Sequence, residues 1–173
     1  MLENYSTASN PFISYEEMND RQACEALRRV NSLAVKAKND GKHPFAAALL
    51  AEDAKTILLS ACNVSTVKHA EIELVRKATE IYDSEFLWSC TLVTNFEPCA
   101  MCTGAIYWAN IGRIVYGASE TELIKLTGAH KQNPTLKMPC REIIKAGAKQ
   151  IKVLGPYDCV QDEILELHHN FWL

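Results

Sequence analysis

Hydrophobic positions along this chain follow two alternating periods, and their order predicts the architecture. Ala23, Leu27, Val30, Ala34 and Ala37 stand at helical spacing behind the capping box Ser14-Tyr15-Glu16-Glu17, which predicts a long first helix running to Gly41. Phe45 to Ala51 and Thr56 to Cys62 are strand-length apolar runs joined by Glu52-Asp53-Ala54-Lys55. They predict a hairpin, although alanine is a poor strand former. Ile72, Val75, Ala78, Thr79 and Tyr82 return to helical spacing, for a helix ending near Asp83. Beyond it, strands at Cys90 to Thr94, Arg113 to Gly117 and Gln150 to Leu154 alternate with helices. Those helices run from Cys99 to Ala109, Ser119 to Leu126, Cys140 to Ala146 and Asp158 to Phe171. The stretch with Gly128, Asn133, Pro134 and Pro139 reads as a long loop.

This alternation implies an α/β fold, a three-layer α/β/α arrangement around a five-stranded mixed, mostly parallel sheet. The 173 residues show no internal repeat, low-complexity tract or linker. A single domain over 1–173, burying about 70% of its unfolded surface, is therefore expected. Ligands in such folds bind outside the carboxyl edge of the sheet, beside helix N-termini. The residues with metal and proton chemistry fall at that edge.

These residues are His69-Ala70-Glu71 and Pro98-Cys99-Ala100-Met101-Cys102. His69, Cys99 and Cys102 supply three zinc-type ligands, the number found in catalytic sites that keep a fourth position for water. Glu71 is left as an acid to carry protons. Cys99 and Cys102, three apart at a helix start after Pro98, share one face of a first turn whose free amide hydrogens favour thiolates. His69 and Glu71 are two apart and reach one site only from a helix end. The residue types by themselves also suit a closed structural site, with Cys62, Cys90, Cys140 or His130 as fourth ligand, or a redox dithiol at Cys99 and Cys102.

Composition narrows the context. A hydrophobic fraction of 48% and a charged fraction of 23% are those of an ordinary globular protein. No run approaches the ~20 apolar residues that span a bilayer, so no membrane association is expected. The N-terminus is polar and acidic, with no Lys or Arg before Arg21, which argues for a cytoplasmic protein. There the cysteines outside the metal set, out of seven, are expected to be small core thiols. The net charge is −3, and Asp158, Asp162, Glu163 and Glu166 follow the last basic residue, Lys152. Nucleic acid is therefore an unlikely partner, although Lys125, Lys131, Lys137, Arg141 and Lys145 could form a local basic patch.

The H-x-E and P-C-x-x-C pair is the signature of zinc deaminases, and the chain resembles the cytidine deaminase superfamily. Within it the run Phe96-Glu97-Pro98-Cys99-Ala100-Met101-Cys102-Thr103-Gly104-Ala105-Ile106-Tyr107-Trp108-Ala109 resembles the branch of bacterial guanine deaminases and tRNA adenosine deaminases. Free-living cytidine deaminases usually have a Cys where this chain has His69.

The resemblance implies a cytidine deaminase-like fold and one Zn2+ per chain on His69, Cys99 and Cys102, with a bound water or hydroxide and Glu71 as proton shuttle. It implies that Asn63 and the Ala70 amide hydrogen-bond a base, and that Phe45 packs on its ring. Strand packing would explain Phe45 equally, and a turn would explain Asn63. Where the family often has Pro-Phe-Gly-Ala this chain has Pro44-Phe45-Ala46-Ala47, which narrows the space near the base. His130 and Trp172 are candidate lid or substrate residues; a terminal Trp equally suits a core or dimer contact.

The implied activity is hydrolytic deamination of a nucleobase, first guanine to xanthine plus ammonia. The alternatives are tRNA adenosine to inosine, cytosine or another amino-heterocycle, and a zinc-stabilised binding subunit without turnover. A homodimer is expected, with Ile106, Tyr107 and Trp108 as a candidate contact face.

Overall fold

A computed structural model of the chain describes residues 18–128, 130–131 and 133–172. Its first element, α1 (Asp20–Asn39), is opened by Asn19, whose side chain accepts from the Gln22 amide while the Gln22 side chain accepts from the Asn19 amide. This reciprocal cap, with Asp20 in the first turn and Lys36 and Lys38 in the last, suits the helix dipole. The expected box at Ser14 to Glu17 lies outside the described residues.

The strands β1 (Ala46–Leu50), β2 (Ile57–Cys62), β3 (Thr91–Phe96), β4 (Arg113–Ala118) and β5 (Lys152–Leu154) form one sheet in the order β2-β1-β3-β4-β5. β1 is antiparallel to both neighbours, while β3 with β4 and β4 with β5 pair in parallel. Four strands therefore point one way and β1 alone is reversed, which is the mixed, mostly parallel sheet expected. Helices α2 (Ala70–Ile81), α3 (Ser84–Ser89), α4 (Ala100–Trp108), α5 (Glu120–Thr127), α6 (Cys140–Lys145) and α7 (Asp158–Glu166) are the other helices among the described residues.

Strand alternation divides the core into two layers. Ala46, Ala48, Leu50, Val93 and Val115 pack under α1, α5 and α7 through Leu27, Val30, Leu123, Val160 and Ile164. Ala47, Leu49, Leu92 and Ile114 pack under α2, α3, α4 and α6 through Leu74, Leu87, Ile106 and Ile144. The three-layer arrangement follows from this period of two.

Four expectations change. Residues 84–89 form α3, capped by Asp83 through the Phe86 amide, a turn-and-a-half too short to show helical periodicity. The last helix ends at Glu166, not Phe171. Beyond it the chain makes short-range turns and passes through a left-handed Asn170, which folds Trp172 back onto His168. Ile106 is wholly buried, so of the proposed contact face only Trp108 stands out, 81% exposed. Cys24 and Cys159 are joined as a disulfide, with Cα atoms 6.4 Å apart, instead of remaining core thiols. Packing of α1 beside α7 on one face of the sheet brings together these residues, 135 apart in sequence.

Gly112, between α4 and β4, passes so close to α3 that a Cβ there would overlap the Trp88 carbonyl oxygen. A Gly112→Ala protein is expected to lose about 1–3 kcal/mol of stability through overpacking. Thermal unfolding checks this, with Gly104→Ala as control, since an added Cβ at Gly104 meets nothing within 4 Å.

Candidate metal centre

Both metal motifs stand at helix starts on the carboxyl edge of the sheet. His69 is the N-cap of α2 and Cys99 the N-cap of α4, each in extended conformation, and neither side chain caps its own helix. They face each other instead. His69 Nδ1 lies 3.6 Å from Cys99 Sγ and 3.6 Å from Cys102 Sγ. A tetrahedral zinc with Zn–N of about 2.05 Å and Zn–S of about 2.3 Å has an N···S edge of about 3.6 Å. The spacing is thus that of two edges of a zinc tetrahedron, and the donor set fits the metal.

Among the described residues no fourth ligand joins the trio. The Cys62 thiol turns to the Leu33 carbonyl and the Cys90 thiol to the Phe86 carbonyl, while the His130 ring packs against Trp172. A closed structural site built from these residues is therefore not formed. Within the trio Cys99 is pulled down to about 4 by hydrogen bonding from Cys102, with His69 adding to it. Cys102 is pushed up by its bond to Cys99 and by burial.

Glu71, second residue of α2, is buried against this trio. Its Oε1 accepts from Thr94 Oγ1 at 2.7 Å, and Cys102 Sγ is 3.4 Å from its Oε2. Burial raises its carboxyl above the ordinary value, and the Thr94 bond opposes that rise. Thr94 Oγ1 also lies 3.2 Å from the Ala46 carbonyl. One hydroxyl proton serves both states: Thr94 donates to ionised Glu71, or accepts from protonated Glu71 and donates to Ala46. Thr94 therefore holds Glu71 in place whether or not it carries a proton.

The hollow over the trio is lined by Phe45, Asn63, Phe96, Glu97, Glu120, Leu123 and Asn133 beside His69, Glu71 and Cys99. Phe45 precedes β1 and meets Phe96 edge-on, with ring centres 5.6 Å apart. Asn63 follows β2, buried, and donates its backbone N–H to the Phe45 carbonyl. Ala70 is buried as the first residue of α2, where a backbone N–H has no acceptor within the helix. His130 and Trp172 do not line the hollow. Trp172 backs Phe45 from outside, and His130 packs on Trp172. A broader surface depression beside Gly155 to Cys159 lies apart from these groups.

Three contributors escape the sequence. The Glu97 carboxylate accepts the Cys140 amide at 2.9 Å and the Glu120 amide at 3.2 Å, tying the first residues of α6 and α5 to the metal motif. Glu120 itself is buried, and burial, followed by the charges of Cys99, Glu97 and Glu71, pushes its carboxyl up to about 8. His168, 1% exposed, shares Nε2–H with the Pro44 carbonyl and accepts the Trp172 indole N–H at Nδ1. An acid before P-C-x-x-C is visible in the sequence, but bonds to distant backbone amides are not.

An open three-ligand set with a proton-carrying acid beside it belongs to hydrolytic zinc sites and not to structural ones. The chain matches the model of the cytidine and deoxycytidylate deaminase zinc-binding region over residues 20–118. It is 36% identical over 149 residues to a probable cytosine deaminase of Schizosaccharomyces pombe, covering 84% of this chain and 90% of that protein. It is 36% identical over 100 residues to the guanine deaminase of Bacillus subtilis, covering 56% of this chain and 64% of that one. The fold is similar to that of a guanine deaminase from Nitrosomonas europaea, with TM-score 0.69 and 21% identity over 99% of this chain and 93% of the other. The chain belongs to the cytidine and deoxycytidylate deaminase family, whose members are zinc-binding hydrolytic deaminases.

Burial lowers the His168 imidazole to about 3, against the pull of its bond to Pro44. A folded pKa below the unfolded value of about 6.5 means that stability is fully present above pH 6.5 and is lost as pH falls toward 3. The melting temperature is expected to drop across that window, with a flatter slope in His168→Gln. Equal slopes in the two proteins would show that another group governs acid sensitivity.

Proposed function

We propose that the chain deaminates a free nucleobase, guanine to xanthine plus ammonia, using one zinc per chain. The observation that carries this reading is the open His69/Cys99/Cys102 set with Glu71 held against it by Thr94. Support for guanine comes from the Bacillus subtilis relative. Cytosine is the second reading, supported by the Schizosaccharomyces pombe relative, which pairs with most of the chain. A tRNA substrate fits less well, because the exposed Asp158, Asp162, Glu163 and Glu166 of α7 repel a polyanion. A binding subunit without turnover has no use for a buried acid beside an open metal position.

A zinc held by His69, Cys99 and Cys102 would supply the Lewis acidity that makes a water easier to deprotonate. Glu71 takes a proton from the attacking water at Oε2, the oxygen turned toward Cys102, and delivers it to the ring nitrogen beside the amine-bearing carbon. The water oxygen bonds to that carbon. Glu71 then passes the second water proton to the amine, the C–N bond breaks and ammonia leaves. Throughout, Thr94 keeps the Glu71 carboxyl oriented. Asn63 and the Ala70 N–H hold the polar edge of the base, and Phe45 meets its ring, with Trp172 and then His130 packed behind Phe45.

The same reading takes residues 1–173 as one deaminase domain working in the cytosol. It also takes the protein as a homodimer, to which the exposed Trp108 and the half-exposed Met101 of α4 contribute.

Ammonia release by the zinc-loaded protein is to be measured across guanine, cytosine, adenine, their nucleosides and a tRNA stem-loop. Glu71→Ala is expected to retain its metal and lose at least about 100-fold in kcat. Undiminished turnover in that variant, or turnover of the stem-loop alone, would refute the proposal. Sedimentation of Trp108→Glu is expected to show a monomer, and an unchanged dimer would exclude α4 from the contact.

A further inference from the structure

Two side-chain atoms in the hollow have no use in the chemistry above and no hydrogen-bond partner among the described residues. Glu120, 6% exposed, opens α5 directly after β4. Its backbone N–H is bonded to Glu97, but its Oε2 is buried and unpaired, and Asn133 Nδ2 is buried and unpaired beside the same space. Buried polar atoms are almost always satisfied, and leaving one unpaired costs stability. An acceptor and a donor left open in one pocket point to a ligand with the complementary donor and acceptor.

Their place in the sheet says which edge of the ligand they meet. Strand order puts Asn63, after β2, and Glu120, after β4, on opposite sides of the metal trio. Three strand spacings, roughly 14 Å at the sheet edge, separate the two sides before side chains reach inward. A base that presents its amine-bearing carbon to the trio and the adjacent ring nitrogen to Glu71 turns its remaining edge outward. In both guanine and cytosine that remote edge carries the ring N–H that a nucleoside replaces with a bond to its sugar.

We propose that Glu120 is a specificity-determining residue that accepts a hydrogen bond from this N–H, with Asn133 donating to an adjoining ring acceptor, so that the site selects free bases over nucleosides. Either protonation state of Glu120 leaves an acceptor oxygen. A free base satisfies that oxygen. A nucleoside leaves it unpaired and brings sugar carbon against it, so the discrimination comes from both arms of the comparison. This inference rests on the free-nucleobase reading.

The test compares kcat/KM for each free base and its nucleoside in wild type, Glu120→Leu and Glu120→Gln. Calorimetric base binding is measured on the zinc-loaded Glu71→Ala background, which separates recognition from turnover. Glu120→Leu is expected to weaken base binding and base kcat/KM about 10- to 100-fold, the range for losing a charge-assisted or buried hydrogen bond. The base-to-nucleoside ratio falls with them, while the melting temperature holds or rises because an unpaired acid has been removed. Glu120→Gln keeps an acceptor oxygen and restores most of the preference. A folded Glu120→Leu protein whose ratio stays within about twofold of wild type would overturn the inference, as would failure of that variant to fold. Wild-type preference for nucleosides would overturn this inference alone. Absence of both turnover and base binding in wild type would overturn the free-nucleobase reading as well.

Discussion

The active edge depends on bringing two helix N-termini, from strands that are not neighbours, within reach of one metal. α2 follows β2 and α4 follows β3, but β1 lies between those strands. His69 and Glu71 must therefore reach across the end of β1, His69 to the cysteines and Glu71 to Thr94 on β3. Ala47 pairs with Thr94 in the β1–β3 register and faces the same layer as α2. A larger side chain at Ala47 would compete with Glu71 for the space beside Thr94. Small residues in β1 cost strand propensity but let the acid through, which accounts for an alanine run in a central strand.

A second constraint fixes the opposite wall. Glu97 sits between the end of β3 and Cys99, so any group it holds is registered to the metal motif. Its two oxygens take the first amides of α5 and α6, donors that a helix cannot satisfy internally. The carboxylate also lies at the positive ends of those helices. Through this contact the first residues of α5 and α6 are tied to the metal motif, and Glu120 is carried to the pocket.

Most of this architecture is legible in the sequence because it depends on local pattern. The hairpin, the alternation of strands and helices, and the two short motifs His69-Ala70-Glu71 and Pro98 to Cys102 all follow from spacing within a few residues. What stays hidden depends on long-range neighbours. The bond from Thr94 to Glu71 spans 23 residues and that from Cys140 to Glu97 spans 43, and neither Thr nor Cys declares such a partner. The Cys24–Cys159 pairing likewise needs the adjacency of α1 and α7. The last helix reads too long in the sequence because Phe171 and Trp172 continue an apolar pattern. In the fold they form an aromatic cover, held through His168 to the carbonyl before Phe45.

The chemistry of the pocket walls constrains what it can hold. Phe45 and Phe96 offer aromatic surface, which suits a flat ring. Glu71, Glu97 and Glu120 place three carboxyls around the same space, beside the His69, Cys99 and Cys102 trio. Among the described residues no Lys or Arg lines this wall to receive a phosphate, and its carboxylates would meet a sugar-phosphate chain with like charge at close range. A neutral heterocycle avoids that cost and brings an N–H donor to Glu120 Oε2, which the described residues leave unpaired. Charge, shape and the unpaired atoms thus favour the same kind of molecule, a small uncharged ring with polar edges.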